Sequence, residues 1–207
     1  MRQILTIAKV GIKDFVEIIH GTLTSSENNW KKLKASEYQW KEMFFFYVFP
    51  LVILNSLAKI LVVPEQSEFQ ILEPGTLFVV YLMSSVISLL LGSFLIMKLS
   101  PRYQSVNNFD TIFTFVGVSY TPIFLSNMIA VMHPYLAIVS LLGIIYTIFL
   151  FYRGIGIMLE TPAIKKTGFT ILCFLILFGS TIFASALVSY LAFFLTGNMD
   201  SLMNFYS

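Results

Sequence analysis

Charged residues are scarce in this 207-residue chain. They make up 12% of the sequence, about half of the roughly 25% that is typical of soluble globular domains. Cysteine is almost absent as well: Cys173 is the only one, which excludes an intrachain disulfide and a metal site built from several cysteines. Hydrophobic residues, by contrast, make up 57% of the chain, and its mean hydropathy is +0.82. The composition therefore predicts a membrane protein.

The sequence signatures of common enzymes are also missing. It contains no zinc-binding H-E-x-x-H pair, no glycine-rich phosphate loop and no nucleophile elbow. Its two histidines, His20 and His133, are far apart in the chain. We therefore expect no enzymatic activity, no cofactor and no metal site.

Five apolar runs are long enough to cross a bilayer, which takes about 20 helical residues each. They cover residues 44–63, 77–97, 112–132, 135–158 and 169–195. The sequence therefore predicts an all-α, polytopic membrane bundle of five transmembrane helices over residues 43–207, preceded by an arm, residues 1–42. No cleavable signal peptide precedes the first run, so we expect that run to act as its own insertion signal.

The arm has two parts. In residues 2–20 the apolar residues recur at helical spacing, which predicts an amphipathic helix that either lies in the membrane interface or packs against the bundle. The second part carries Trp30 and Trp40 among lysines, directly before the first apolar run. Because tryptophan next to a spanning helix is typical of the lipid headgroup region, we expect both to be interfacial anchors rather than part of a nucleic-acid site.

The basic residues predict the orientation of the bundle. Twelve of the thirteen Lys and Arg residues lie in the arm, after the second run or around the end of the fourth, and none lies in the other loops or the C-terminal tail. The twelve are Arg2, Lys9, Lys13, Lys31, Lys32, Lys34, Lys41, Lys98, Arg102, Arg153, Lys165 and Lys166. Since basic loops stay in the cytoplasm, we expect a multi-pass protein of the inner (cytoplasmic) membrane with its N-terminus inside and its C-terminus outside.

Polar residues within the spans are the candidates for a functional site. Asn55 and Lys59 lie four residues apart on one face of the first helix, and Tyr120 and Asn127 lie in the third. One interpretation is a polar pocket between helices one and three. The alternative is that Lys59 extends to water at the outer interface.

Two other groups of polar residues have structural explanations. Pro122 removes a backbone donor and is expected to kink the third helix, with the Ser119 and Thr121 hydroxyls bonding the freed carbonyl. Three serines at 84, 85 and 88 in the second helix, together with Gly92, are small residues that favour close packing of helices.

Several short motifs carry a family resemblance over about residues 30–195. They are Tyr47-Val-Phe-Pro50-Leu51, Tyr120-Thr121-Pro122, the turn His133-Pro134, Tyr152 at the end of the fourth helix, and Thr161-Pro162-Ala163-Ile164-Lys165-Lys166 before the fifth. With these motifs the chain resembles the bacterial branch of the Yip-domain family, named for eukaryotic proteins that interact with Ypt/Rab GTPases. The sequence has no clear match to the Asp-Leu-Tyr-Gly-Pro signature of those eukaryotic relatives.

The resemblance implies a non-enzymatic membrane protein with five helices. We therefore expect a membrane organiser or adaptor whose arm engages membrane lipids or a protein partner. The alternative is a transporter or channel for a small solute, an ion or a lipid, built around the pocket between helices one and three. A homo-oligomer remains open in either case.

Overall fold

The computed structural model describes residues 12–24, 26–61 and 72–197. All regular secondary structure in these residues is helical, and five helices are long and apolar enough to cross a membrane. This confirms the predicted all-α class with five spanning helices. We name the helices α1 (Ile12–Thr24), α2 (Ser26–Ser36), α3 (Trp40–Ile60), α4 (Pro74–Leu99), α5 (Phe109–Ala130), α6 (Ala137–Ile157) and α7 (Ala163–Leu195).

Four of the five spanning helices begin before the apolar runs from which they were predicted, and α6 begins within its run. The α3 helix begins at Trp40, where Gln39 and Glu42 form a capping box and the Trp40 N–H donates to an Asp110 carboxylate oxygen at 2.8 Å. The α7 helix begins at Ala163 and contains 33 residues, about 50 Å of helix, which exceeds a hydrocarbon core of about 30 Å. Hydropathy marks only the part of a helix that lies in lipid, so polar ends that remain helical are missed.

The central helix of the bundle is α5. In its apolar stretch 67% of the residues are buried, compared with 22% in α7. It is interrupted at Tyr120, and a second segment begins at Thr121 with Pro122 in its first turn. The expected hydroxyl bonds to the freed carbonyl are not formed: the Ser119 hydroxyl has no partner among the described residues, and the Thr121 hydroxyl pairs with the Tyr47 hydroxyl at 2.7 Å.

The two arm helices, α1 and α2, pack against one end of the bundle, which we call the arm end. Trp30 of α2 is fully buried, with its ring centroid 5.7 Å from that of Phe115 in α5. Gly154 of α6 makes this contact possible, because a Cβ there would lie 2.6 Å from the Phe115 ring and 3.0 Å from the Trp30 ring. Of the two alternatives for the arm, the described residues show packing against the bundle; residues 2–11 of the predicted amphipathic helix lie outside them.

Polar contacts also join the arm to the bundle. The Tyr146 hydroxyl of α6 lies 3.0 Å from the Thr22 carbonyl and 3.1 Å from the Leu23 carbonyl, at the end of α1. Glu27 of α2 bridges Lys31 at 2.8 Å and Arg153 of α6 at 3.3 Å. The Lys31 ammonium lowers the pKa of the Glu27 carboxyl, but exposed ion pairs of this kind contribute little to stability.

The opposite end of the bundle, which we call the far end, is where α3 and α5 finish and α4 begins. The most extensive contact between two helices is that of α4 with α7. In this pair a Cβ on Gly92 would lie 2.5 Å from the Leu177 side chain, and Ser88 and Thr181 join their hydroxyls at 2.8 Å. Gly92 therefore serves the close packing that its small size predicted.

Candidate functional site

A cavity of about 250 Å³ lies between α3, α4, α5 and α7. Along α4 it extends from Val80 to Leu89, a distance of about 14 Å at 1.5 Å per residue. Since Val80 lies near the start of α4, the cavity runs from the far end toward the middle of the spanning helices. Its volume is just below the range of about 300–1,000 Å³ that is usual for small-molecule sites.

The lining of this cavity is rich in polar groups for a site between membrane helices. It contains two amides, one ammonium group and eight hydroxyls, alongside apolar residues. The residues with these groups are Asn55, Lys59, Tyr81, Ser84, Ser85, Ser88, Tyr120, Asn127, Thr181, Ser185 and Ser189. Such groups are costly in lipid unless they meet one another or a polar ligand.

The structure brings the four residues of the predicted pocket together at this one cavity. The side-chain amide of Asn127 donates to the side-chain oxygen of Asn55 (Oδ1) at 3.3 Å. The Ser140 hydroxyl of α6 donates to the side-chain oxygen of Asn127 (Oδ1) at 3.1 Å. Each amide oxygen is therefore used in a contact between helices. The pocket was placed between helices one and three, but α4 and α7 supply most of its hydroxyls.

Lys59 faces the bundle. Its ammonium nitrogen lies 5.6 Å from the centroid of the Tyr81 ring of α4, and its half-buried side chain lines the cavity. Within the described residues it forms no salt bridge, and no acidic residue among them lines the cavity. Among the described residues, the cavity lining therefore carries one formal charge, which is positive.

Tyr120 joins the cavity to the break in α5. Its hydroxyl interacts with the Thr181 side chain, which also meets Ser88. The Thr181 hydroxyl also donates to the Leu177 carbonyl at 2.9 Å, so it links these side chains to the backbone of α7. The Ser84 hydroxyl, in contrast, is buried without a hydrogen-bond partner among the described residues.

The two tryptophans predicted as interfacial anchors lie away from the cavity, at the arm end. Trp40 is half-buried at the start of α3, with its ring edge-on to Phe109 at 5.8 Å. Trp30 differs from the prediction, because its ring is enclosed by protein and not exposed at a lipid surface. The Trp30 ring fits inside the protein because Gly154 has no side chain where the ring lies. Gly154 is far from Trp30 in the sequence, so nothing in the sequence indicates this contact.

Sequence reasoning missed the hydroxyls of α4 and α7. Ser84, Ser85 and Ser88 were expected to serve helix packing, but all three line the cavity. On α7, hydroxyl residues recur at 181, 185 and 189, a spacing of four that puts them on one face of a helix. That stripe in an otherwise apolar run is the signal that could have found them.

Comparison with known proteins gives one match. The chain matches the model of the Yip1 domain over residues 21–186, a range that includes α2 to α6 and most of α7. No curated protein and no solved structure matches it.

Proposed function

The chain belongs to the Yip1-domain family, a family of membrane proteins, and from that premise we propose that it binds a small polar solute or a lipid headgroup in the cavity near its far end. In this proposal the protein is non-enzymatic and acts as a carrier or receptor for that ligand. This is the transporter alternative of the sequence interpretation, with the site extended to α4 and α7.

The observation that carries the proposal is the convergence of polar groups from four helices. Asn55 and Lys59 come from α3, three serines from α4, Tyr120 and Asn127 from α5, and three hydroxyl residues from α7. Helix packing alone does not require a lysine between membrane helices, and a charged group there is most often part of a binding or transport site.

The arm half of the bundle is closed, which favours a carrier or receptor over an open channel. Its interior is filled by fully buried side chains that include Tyr47, Phe113, Phe115 and Phe151. A ligand that enters from the far end therefore meets a packed aromatic layer. In a carrier this layer has to open, and the break in α5 at Tyr120, between the layer and the cavity, is the place where we expect the helix to bend.

The test compares a filled cavity with an intact one. The protein and a Ser85→Leu variant are purified into nanodiscs, and the molecules that each retains are identified by native mass spectrometry. Gly179→Leu is the matched control, since it adds the same side chain at an exposed position of α7 where no described residue lies within 4 Å of the new Cβ. We expect a bound molecule in the wild type and the control and its loss in Ser85→Leu. Equal retention by all three proteins, or by none, contradicts the proposal.

A second candidate function, the adaptor role, is favoured by the placement of the arm. Because Trp30 fixes α2 to the bundle, the exposed basic side chains of α2 form a surface with a defined position. Lys32 pairs with Glu17 of α1 and Lys34 with Glu160 beyond α6. In this proposal a protein partner or anionic lipid headgroups recognise that surface.

Deleting the arm would expose the buried contacts of Trp30, so charge reversal is the cleaner test. In Lys31→Glu/Lys32→Glu the exposed charge changes sign while the buried face of α2 is kept. Crosslinking in intact membranes, followed by identification of the crosslinked proteins and lipids, should lose specific products in this variant and keep them in Lys98→Glu, an exposed lysine on α4. Identical crosslinks in all three proteins would exclude an adaptor role for this surface.

A further inference from the structure

We infer that the ligand of the cavity is an anion, or carries an anionic group such as a phosphate or carboxylate, and that Lys59 is its counter-ion. The inference rests on the proposed function, since it requires a ligand in the cavity. It adds the sign of the ligand's charge and the residue that pairs with that charge.

The first argument is the balance of charge. Of the described residues that line the cavity, Lys59 is the one that is charged, and its ammonium lies against the Tyr81 ring. A cation over an aromatic ring gains only a modest interaction, while a charge inside a membrane bundle needs a partner of opposite sign or water. An anionic ligand supplies that partner.

The second argument is the balance of hydrogen-bond donors and acceptors. One side-chain N–H of Asn127 donates to the Asn55 side-chain oxygen, and the Ser140 hydroxyl donates to the Asn127 side-chain oxygen. The second N–H of Asn127 and the side-chain N–H groups of Asn55 are donors that these two contacts do not use. The buried Ser84 hydroxyl has a proton and no partner among the described residues. Together with the Lys59 ammonium, these groups form a set of donors, which is what a carboxylate or phosphate requires.

The third argument is size and access. A cavity of about 250 Å³ is large enough for a phosphate group or a small organic anion but not for acyl chains. A free anion and the headgroup of an anionic lipid therefore present the same chemistry to Lys59, with the chains of a lipid outside the cavity. The experiment has to separate these two sources.

The test uses the charge of a thiol reagent as the probe. Ser85→Cys is introduced into a Cys173→Ala background, so that the cavity holds the one thiol of the chain. In nanodiscs of zwitterionic lipid, the rate of modification is measured with two methanethiosulfonates, one with an anionic sulfonate and one with a cationic trimethylammonium group. Each rate is divided by the rate of the same reagent with a small free thiol in solution, and the ratio of anionic to cationic reagent is then taken. We expect the anionic reagent to react faster, and Lys59→Gln to lower the ratio of the two rates roughly tenfold, the scale set by removing one charge at short range.

Two further variants define the cause of that change. Lys59→Arg keeps the charge and should keep the ratio, which separates loss of charge from loss of fold. Lys98→Gln removes a charge on α4 that does not line the cavity, and should leave the ratio unchanged. A ratio that is insensitive to Lys59, with both reagents reacting, overturns the anion inference and leaves the cavity as a neutral site. If neither reagent reacts, the cavity is closed to solutes and the proposed function itself fails.

Protection of the thiol identifies the source of the anion. Modification of Ser85→Cys is repeated with inorganic phosphate in solution, and then in discs that contain phosphatidylglycerol. Protection by phosphate indicates a free anion, while protection by phosphatidylglycerol alone indicates a lipid headgroup. Both should be lost in Lys59→Gln. Absence of protection in both arms overturns the inference that an anion is held there.

Discussion

The contact of Trp30 with the bundle yields the sharpest prediction about the arm. We expect Trp30→Ala to release α1 and α2 from the bundle while the five spanning helices stay folded. Trp30 is fully buried between Phe115 and Gly154, and truncation of a buried tryptophan to alanine costs about 3–5 kcal/mol. The ion pairs around it, Glu27 with Lys31 and Arg153, are exposed, and surface pairs cannot replace such a loss.

The measurement is hydrogen exchange of the backbone amides of α1 and α2. If the arm opens as one unit, a loss of about 3–5 kcal/mol accelerates exchange roughly 10²–10⁴-fold, since about 1.36 kcal/mol corresponds to a factor of ten. Gly154→Leu should have an effect in the same direction, because it fills the space that the two rings occupy. Exchange in the central helix α5 should change little.

A fluorescence experiment separates burial in protein from anchoring in lipid. Trp40→Phe leaves Trp30 as the sole tryptophan. If its ring is enclosed as described, neither a water-soluble quencher nor a nitroxide on a lipid headgroup should quench it, and Trp30→Phe, which leaves Trp40, should be more sensitive to both. Strong quenching of Trp30 by the labelled lipid, with unchanged arm exchange in Trp30→Ala, would refute the docked arm and restore the interfacial anchor.

Two other predictions concern topology and the buried hydroxyl contacts. Reporters fused after residues 70, 105, 160 and 207 should read outside, inside, inside and outside, as the distribution of basic residues requires; a cytoplasmic C-terminus would contradict five spans with this orientation. Tyr47→Phe leaves the Thr121 hydroxyl buried without its partner, so it should lower the thermal unfolding midpoint by an amount equivalent to about 1–3 kcal/mol. The control is Tyr190→Phe, at an exposed position, which should leave the midpoint unchanged.

The number of spans could be predicted because lipid imposes it. Within a bilayer every backbone amide has to be satisfied inside its own helix, so an apolar run of sufficient length has one available structure. The ends of the helices could not be predicted in this way: α7 begins at Ala163, before Lys165 and Lys166, and charged residues that are helical outside the lipid leave no trace in hydropathy.

The candidate site was predictable to the extent that helical spacing determines it. Asn55 and Lys59 share a face because they are four residues apart, but spacing does not say which face meets the bundle. The serines of α4 are ambiguous in a similar way, since a serine is small enough for close helix packing and also has a hydroxyl that can line a cavity. Gly92 packs against Leu177 of α7, whereas Ser84 lines the cavity, and the spacing of residues along α4 does not predict this difference.

The two halves of the bundle differ in a way that links the arm to the cavity. At the arm end, interlocking aromatic residues and a glycine at 154 produce close packing, and Trp30 extends that packing to the arm. Toward the far end, serines and amides replace the large side chains and leave space. The Tyr47 hydroxyl lies at the boundary, bonded to Thr121 beside the break in α5 and interacting with Thr22 of the arm. A movement that opened the cavity toward the arm end would displace side chains beside this contact, so we expect the Tyr47 hydroxyl to couple the arm to the cavity.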